Sequence, residues 1–451
     1  MTMLLLSVML LPGVCAAATV RTVAELVAAV SEANSDGDKE ILLEDGIYTL
    51  GSALVIQADG VTVRSLSGNR GSVTIRGTGM TGSVSHVFFV EGDRFTARDM
   101  TLRDVYYHAI QMQIDAQAPT FLNLHILDTQ EQMIKVPYDE AQPDLHSDDG
   151  LVEGCLFEYS AGIGPQWYIG GVDAHHAFNW VIRGNTFKNI RSPADDVAEH
   201  AIHFWSDSQN TLVEGNTIVN CDRGIGFGLG NRGHVGGIIR NNMIYHDVTE
   251  GFADVGIGLE SAPGAQVYNN TIFQEHPYPN AIEYRFAATT GVSIINNLTN
   301  RAIAPRDGAS GTISHNVTHG ESGWFLSPGQ GDLHLASSVA DVVDQGIFVS
   351  GLVDDFDGDS RPQGSGYDVG ADEYSVTWAC PDCSADEVVI QNVTFPAGKT
   401  CECEGTVFIT IGSDVTMERD AVVVLVSPLV KIRSRVMVEQ GARLTIRQGA
   451  Q

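Results

Sequence analysis

The 451-residue sequence is poor in positive charge: 26 Lys and Arg stand against 56 Asp and Glu, for a formal net charge of −30. No basic run interrupts this acidic background, which repels phosphate along most of a folded surface, so nucleic acid is excluded as a partner. Charge of either sign is scarce, at 18% of residues against 43% hydrophobic. Disorder is thereby excluded for the bulk of the chain, and a large core can be buried. Beyond the N-terminus no apolar stretch is long enough to span a bilayer. Glycine, by contrast, is abundant at 48 residues, and the length allows one large or roughly three ordinary domains.

The opening MTMLLLSVMLLPGVCAAA has no Lys or Arg, yet it is short, apolar and ends on small residues, with Ala16 and Ala18 satisfying an A-x-A cleavage pattern. Residues 1–18 therefore read as a secretory signal peptide. Val14 before Cys15, rather than a small residue, favours simple removal over acylation of the cysteine. The expectation is a secreted or cell-surface monomer. Cys380 and Cys383 form C-x-x-C, and Cys401 and Cys403 form C-x-C. Two disulfides or a zinc site fit this spacing, and secretion favours disulfides. Cys155 and Cys221 read as small buried hydrophobes.

Internal repetition is the strongest pattern: RGNTFKNI (183–190), EGNTIVNC (214–221), RNNMIYHD (240–247), YNNTIFQE (268–275) and INNLTN (295–300). Asn185, Asn216, Asn242, Asn270, Asn297 and Asn316 recur at intervals of 19 to 31 residues, with Cys155, Leu124 and Met100 as earlier, weaker matches. Such intervals suit coils of three short strands with loops of variable length. Strands of successive coils lie ~4.8 Å apart, so an Asn at one coil position can pass amide hydrogen bonds along a ladder. Asn also tolerates the left-handed backbone of a tight turn. A second register precedes each Asn motif and stacks Ile110, Ile134, Val172, Ile202, Ile225, Ile257, Ile282 and Ile303 inward. At the front, Val23, Leu26, Val27 and Val30 follow helical spacing behind a Thr22/Glu25 capping box, which makes this helix the cap of the open core. The fold expected is all-β: a parallel β-helix over 51–335, with an N-terminal cap (19–50), a closing segment (336–375) and a small C-terminal β module (376–451).

On these repeats the chain resembles secreted right-handed parallel β-helix proteins of the pectate-lyase-like superfamily, over roughly residues 19–335. That superfamily includes uronan lyases, polygalacturonase-type hydrolases and mannuronan epimerases, and the resemblance implies an extracellular acidic polysaccharide as partner. QMIKV (132–136) is similar to the stretch that carries the basic lysine of chondroitinase-B-like and alginate lyases. The arginine expected on the following coil is replaced by Asp173. GVDAHHA (171–177) departs from the D-P-H-D motif of the epimerases at Ala174 and His176, and the ordered polygalacturonase motifs are absent. The segment 351–374 is similar to those that close bacterial surface β-helices.

Strand alternation turns the residues beside the inward column outward. The first outward column is Gln111, Lys135, Asp173, His203, Gly226, Gly258, Glu283 and Ala304; the second is Gln113, Pro137, His175, Trp205, Gly228, Glu260, Arg285 and Arg306. Three adjacent coils thus gather Lys135, Asp173, His175, His203 and Trp205, flanked by long connections at 138–150, 158–169 and 188–200. β-Elimination on a uronate needs a base, neutralisation of enolate-like charge and an acid for the leaving oxygen. Lys135 serves as base if crowding lowers its pKa, with His203 or His175 as acid or base, Asp173 orienting an imidazole or holding a cation, and Trp205 as a sugar platform. The bland reading of Lys135 and Asp173 is an exposed ion pair of little consequence. Arg285, five coils or ~24 Å away, and Arg306 suit a distal subsite. Glu260 and Glu283, at a diagonal of ~8 Å, suit an inverting hydrolase or substrate binding. His175, His176, His200 and His203 are weak as a metal set, because alternation sends the adjacent pair to opposite faces. Asp355, Asp357 and Asp359 are calcium candidates, although the EF-hand spacing is missing. The leading function is a polysaccharide lyase for a uronate-containing glycan; the alternative is a non-catalytic carbohydrate-binding or adhesive solenoid.

Overall fold

The computed structural model describes residues 17–374, apart from 194–195 and 249–252, and the strands that lie between 387 and 447. The proposed signal peptide (1–16 of it) and Cys380 and Cys383 lie outside the described residues. The chain divides into two units, Met1–Tyr374 and Ser375–Gln451.

In the first unit each coil contributes one short strand to each of three parallel sheets, of twelve, ten and ten strands. Strands of two to six residues alternate inward and outward side chains, and the inward ones fill a continuous core of Val, Ile, Leu and Phe. This is the expected parallel β-helix. The sheet that carries the outward columns includes β1 (Ile134–Val136), β2 (Val172–His175), β3 (Ile202–Trp205), β4 (Ile225–Phe227), β5 (Ile257–Glu260), β6 (Asn280–Arg285) and β7 (Ala302–Arg306), hydrogen-bonded in that order. Its register pairs Lys135 with Asp173, Asp173 with His203, His203 with Gly226, Gly226 with Gly258 and Gly258 with Glu283, as the isoleucine column implies.

The asparagines form the expected ladder. Asn185 Nδ2 donates to Asn216 Oδ1 at 3.0 Å, and Asn216, Asn242, Asn270 and Asn297 each pass the same bond to the next at 2.9 Å. The left-handed residue is the one before each ladder Asn: Gly184, Gly215, Asn241, Asn269, Asn296 and His315 all have positive φ. In the later coils these turn asparagines also bind the closing segment, Asn241 donating to Asp354 O, Asn269 to Asp368 O and Asn296 to Ile347 O. Glycine serves where nothing needs to be grasped; Asn serves where the segment lies across the turn.

That segment does more than end the solenoid. Val342, Val369 and Ala371 of the segment, with Phe325, Leu333 and Leu335 of the antiparallel hairpin just before it, pack with Val219, Met243, Tyr245, Phe273 and Leu298 of the coils in a second apolar cluster. Its anchor is a fully buried Arg361–Glu373 ion pair at 2.7 Å. At the other end, the helix α1 (Val23–Ser35) has the expected capping box, but its buried face is Leu26, Ala29, Val30 and Ala33. Val27 is exposed. Alanine supplies close packing on a stripe that an aliphatic count places one position away.

The described residues of the second unit, taken alone, form nine short strands in three parallel sheets of three. The pairing, for example of Glu387–Ile390 with Phe408–Ile411 and then Leu429–Ile432, makes it a three-coil parallel solenoid in its own right. Valine and isoleucine alternation reveals its strands; it does not reveal their partners.

Candidate functional site

β1, β2 and β3 bring five of the sequence-derived candidates together on one outer face. Lys135 Nζ donates to Asp173 Oδ2 at 2.5 Å and to His175 Nε2 at 3.0 Å. Trp205 Nε1 donates to Asp173 Oδ1 at 2.7 Å. His175 Nε2 therefore accepts, so Nδ1 carries the proton and donates to Ser206 Oγ at 3.0 Å. Asp173 is satisfied on both oxygens by cross-strand neighbours that the parallel register sets opposite or diagonal to it.

The cluster is buried rather than exposed, which corrects the surface ion-pair reading. Asp173 is 1% exposed, His203 0% and Lys135 8%, while the His175 side chain retains 12%. Tyr168 and Arg232 cover it: the Lys135 ammonium lies 5.8 Å from the Tyr168 ring centroid, and the Arg232 guanidinium 5.2 Å from the Trp205 ring. The Trp205 indole also stacks on His203 at 4.9 Å and 7°. Its ring is occupied by protein neighbours, which counts against an open sugar platform.

Burial sets the protonation states. It works against the Lys135 ammonium, yet the Asp173 carboxylate and Tyr168 outweigh it, and the Lys135 pKa is raised. Lys135 is thus held charged and is not the base that a lowered pKa would make it. Burial would raise the Asp173 pKa, but Lys135, His175 and His203 overcome it and keep the carboxyl well below its usual range. Burial pushes the His175 imidazole down to about 3, against the pull of Asp173 and with help from Lys135. The face therefore holds a charged ammonium beside a neutral imidazole.

Toward the next coils the outward column becomes Gly226 and Gly258, and the His200 ring fills the depression. A Cβ on Gly226 would meet His200 Nε2 at 2.7 Å. Beyond it His200, Arg223, Asp254, Glu260, Glu283 and Arg285 line a cavity of about 60 Å³, room for a few waters rather than a sugar ring. Glu260 accepts from Gly230 N at 2.6 Å and from Arg285 at 3.3 Å. Glu283 accepts from Tyr278, Asn280 and Arg306 at 2.7, 2.6 and 2.8 Å. Although burial alone would raise it, these bonds lower the Glu283 pKa, the opposite of what a general acid needs. Arg285 also bonds Asp307 at 3.0 Å, so both distal arginines are already paired.

Of the calcium candidates Asp355, Asp357 and Asp359, two have other partners. Asp355 Oδ1 accepts the backbone N–H of Asp357 and Asp359, and Oδ2 that of Glu373. Asp357 instead faces His334 Nε2 at 3.0 Å.

Sequence reasoning overlooked Glu199, Ser206, Tyr168 and Arg232, which sit outside the strand columns. His176 follows β2 in a left-handed turn with φ 48°, and its ring bonds Ser206 O and Pro143 O. His200, however, precedes β3, where alternation no longer applies, and its ring lies 4.4 Å from that of His203.

No family model and no curated protein matches the sequence. Among solved structures the chain is similar to pectate lyase Pel9A, with 16% identity, 76% of this chain and 90% of that chain covered, and a TM-score of 0.49. It is similar to an alginate lyase from Paenibacillus sp. str. FPU-7, with 16% identity, coverage of 66% and 98%, and a TM-score of 0.38. PfbA, a surface adhesin of Streptococcus pneumoniae, matches with 12% identity, coverage of 61% and 81%, and a TM-score of 0.41. The resemblance to pectate-lyase-like β-helices is one of fold, and no residue role is carried over from these proteins. Among the described residues no helix is long and apolar enough to cross a membrane.

Proposed function

We propose that the outer face of β1 to β3 binds an extracellular uronate-containing polysaccharide and cleaves it by β-elimination, with His175 as base and Lys135 as charge neutraliser. One observation carries this reading: a neutral imidazole nitrogen 3.0 Å from a charged ammonium, on a face bordered by long loops. A uronate carboxylate arriving there competes with His175 for the Lys135 ammonium. Once Lys135 turns to the carboxylate, the adjacent C–H becomes more acidic and His175 Nε2 is free to accept its proton. The C–H electron pair forms the new C=C bond, the C–O bond to the leaving sugar breaks, and the imidazolium returns the proton to the leaving oxygen. Asp173 holds Lys135 and Trp205 in place throughout.

The test is absorbance of unsaturated uronates during incubation with alginate, pectate and chondroitin, with and without calcium. Product from one of them, lost in His175→Asn and in Lys135→Met, is the expected result. No product from any acidic glycan ends the lyase reading. A hydrolase using Glu260 and Glu283 loses support, because Glu283 is fixed as an ionised carboxylate.

A binding or adhesive solenoid is the second reading. It is favoured by the closed pairing of Glu260 with Arg285 and of Glu283 with Arg306, and by a net charge of −30 that opposes an anionic polymer. Glycan binding without product, unchanged in the His175 and Lys135 variants, would establish it.

A further inference from the structure

Behind the Lys135 cluster, Glu199, His200 and His203 stand together where the chain enters β3. Each offers a ligand atom within 4.8 Å of those of the other two. Glu199 Oε2, His200 Nδ1 and His203 Nδ1 are all buried and all lack a hydrogen-bond partner. Three orphaned polar atoms on three neighbouring groups are costly, since each forfeits its solvation without compensation. His203 is wholly buried and His200 is 6% exposed. His203 Nδ1 lies 3.6 Å from Glu199 Oε2, and Asp173 Oδ1 is the next oxygen, 3.8 Å from the same nitrogen.

We propose that Glu199 Oε2, His200 Nδ1 and His203 Nδ1 bind one divalent transition-metal ion of the zinc class. Two imidazoles and one carboxylate are the donor set of borderline metals, whereas calcium takes six or more oxygens. Ligands ~2.05 Å from a tetrahedral ion lie ~3.3 Å apart, so the 3.6 Å between Glu199 and His203 closes with a shift of a few tenths of an ångström, while the other pairs start from within 4.8 Å. His203 Nε2 faces Gly228 O at 3.3 Å; donation to that carbonyl places the proton on Nε2 and leaves Nδ1 as the ligating lone pair. Three protein ligands leave a fourth position for water, on the side where Asp173 stands. The site does not depend on the lyase reading, because none of its three ligands has a role there.

The test uses the full chain stripped with chelator and titrated with Co2+ alone, followed by visible absorption and equilibrium dialysis. One Co2+ per chain with a d–d band of four- or five-coordinate geometry, displaced by one equivalent of Zn2+, is expected. Glu199→Gln combined with His200→Gln should weaken uptake at least a hundredfold with an unchanged far-UV spectrum, and alkylation of the cysteines should leave it intact. Absence of stoichiometric uptake by the wild-type chain would overturn the proposal and leave the three groups to a bridging water. Uptake that survives both substitutions, or disappears on alkylation, would overturn it equally by placing the ion elsewhere.

Discussion

Lys135→Met is the most informative change to the outer face, because it leaves Asp173 buried at 1% exposure without its cation. Removing one member of a buried pair costs about 3–5 kcal/mol. With about 2.1 cal/mol/K of unfolding entropy per residue over a unit of roughly 350 residues, a loss of ~4 kcal/mol lowers Tm by about 5 °C. The pH dependence has a definite sign. In the wild type Asp173 titrates below its unfolded value of ~3.9, so its contribution is present above that pH and is lost as pH falls further. Without Lys135, burial is the largest influence left and raises the folded pKa above the unfolded one. The variant then regains stability as pH falls through its raised folded value toward the unfolded one, because the native state takes up the proton first. Thermal unfolding of chelator-treated protein across that range measures the effect, and Lys135→Met with Asp173→Asn should recover more than half of the loss. A Lys135→Met chain within 1 °C of wild type at pH 8, with no change on acidification, would refute the buried pair.

Asn216→Asp places a carboxylate against Asn242 Oδ1, Ile182 O and Glu214 O, all acceptors of the present amide; a loss of about 3 kcal/mol at neutral pH is expected, partly relieved by acid in urea unfolding. Gly226→Ala drives a Cβ to 2.7 Å from the His200 ring and should cost about 1–3 kcal/mol, whereas an unchanged Tm would mean the ring moves freely. If His175 is the base, kcat/KM should fall on the acid side only as pH approaches about 3. An acidic limb near the ordinary imidazole value would show that burial does not hold the ring neutral in the free enzyme.

The fold was legible wherever a residue must do the same thing in every coil. Ile134, Val172, Ile202 and Ile225 repeat because each fills the same slot of the core, and the parallel register follows from that repetition. The Asn ladder is legible for the same reason, since each amide needs a like neighbour above and below. Which outward side chains share a face follows at once from the period of two, and that is why Lys135, Asp173, His175, His203 and Trp205 could be grouped without coordinates.

Protonation and access were not legible, because they are set by residues that do not repeat. Tyr168 and Arg232 reach the cluster from connections whose lengths differ from coil to coil, and no periodicity announces them. Their effect is nonetheless decisive: burial works against the Lys135 ammonium, but the attraction of Asp173 and Tyr168 inside the covered cluster outweighs it, so Lys135 stays charged instead of becoming a base. The same burial neutralises His175, and the roles of the two residues exchange relative to those suggested by side-chain type. The His200–His203 relation was hidden by a different limit. Alternation governs residues inside β3, and His200 precedes its first residue, Ile202, by two positions, so its direction is fixed by the Gly226 depression rather than by the pleat. Where an outward column runs to glycine, a neighbouring loop side chain can descend onto the sheet, and at that point contacts depend on the missing Cβ more than on any residue that is present.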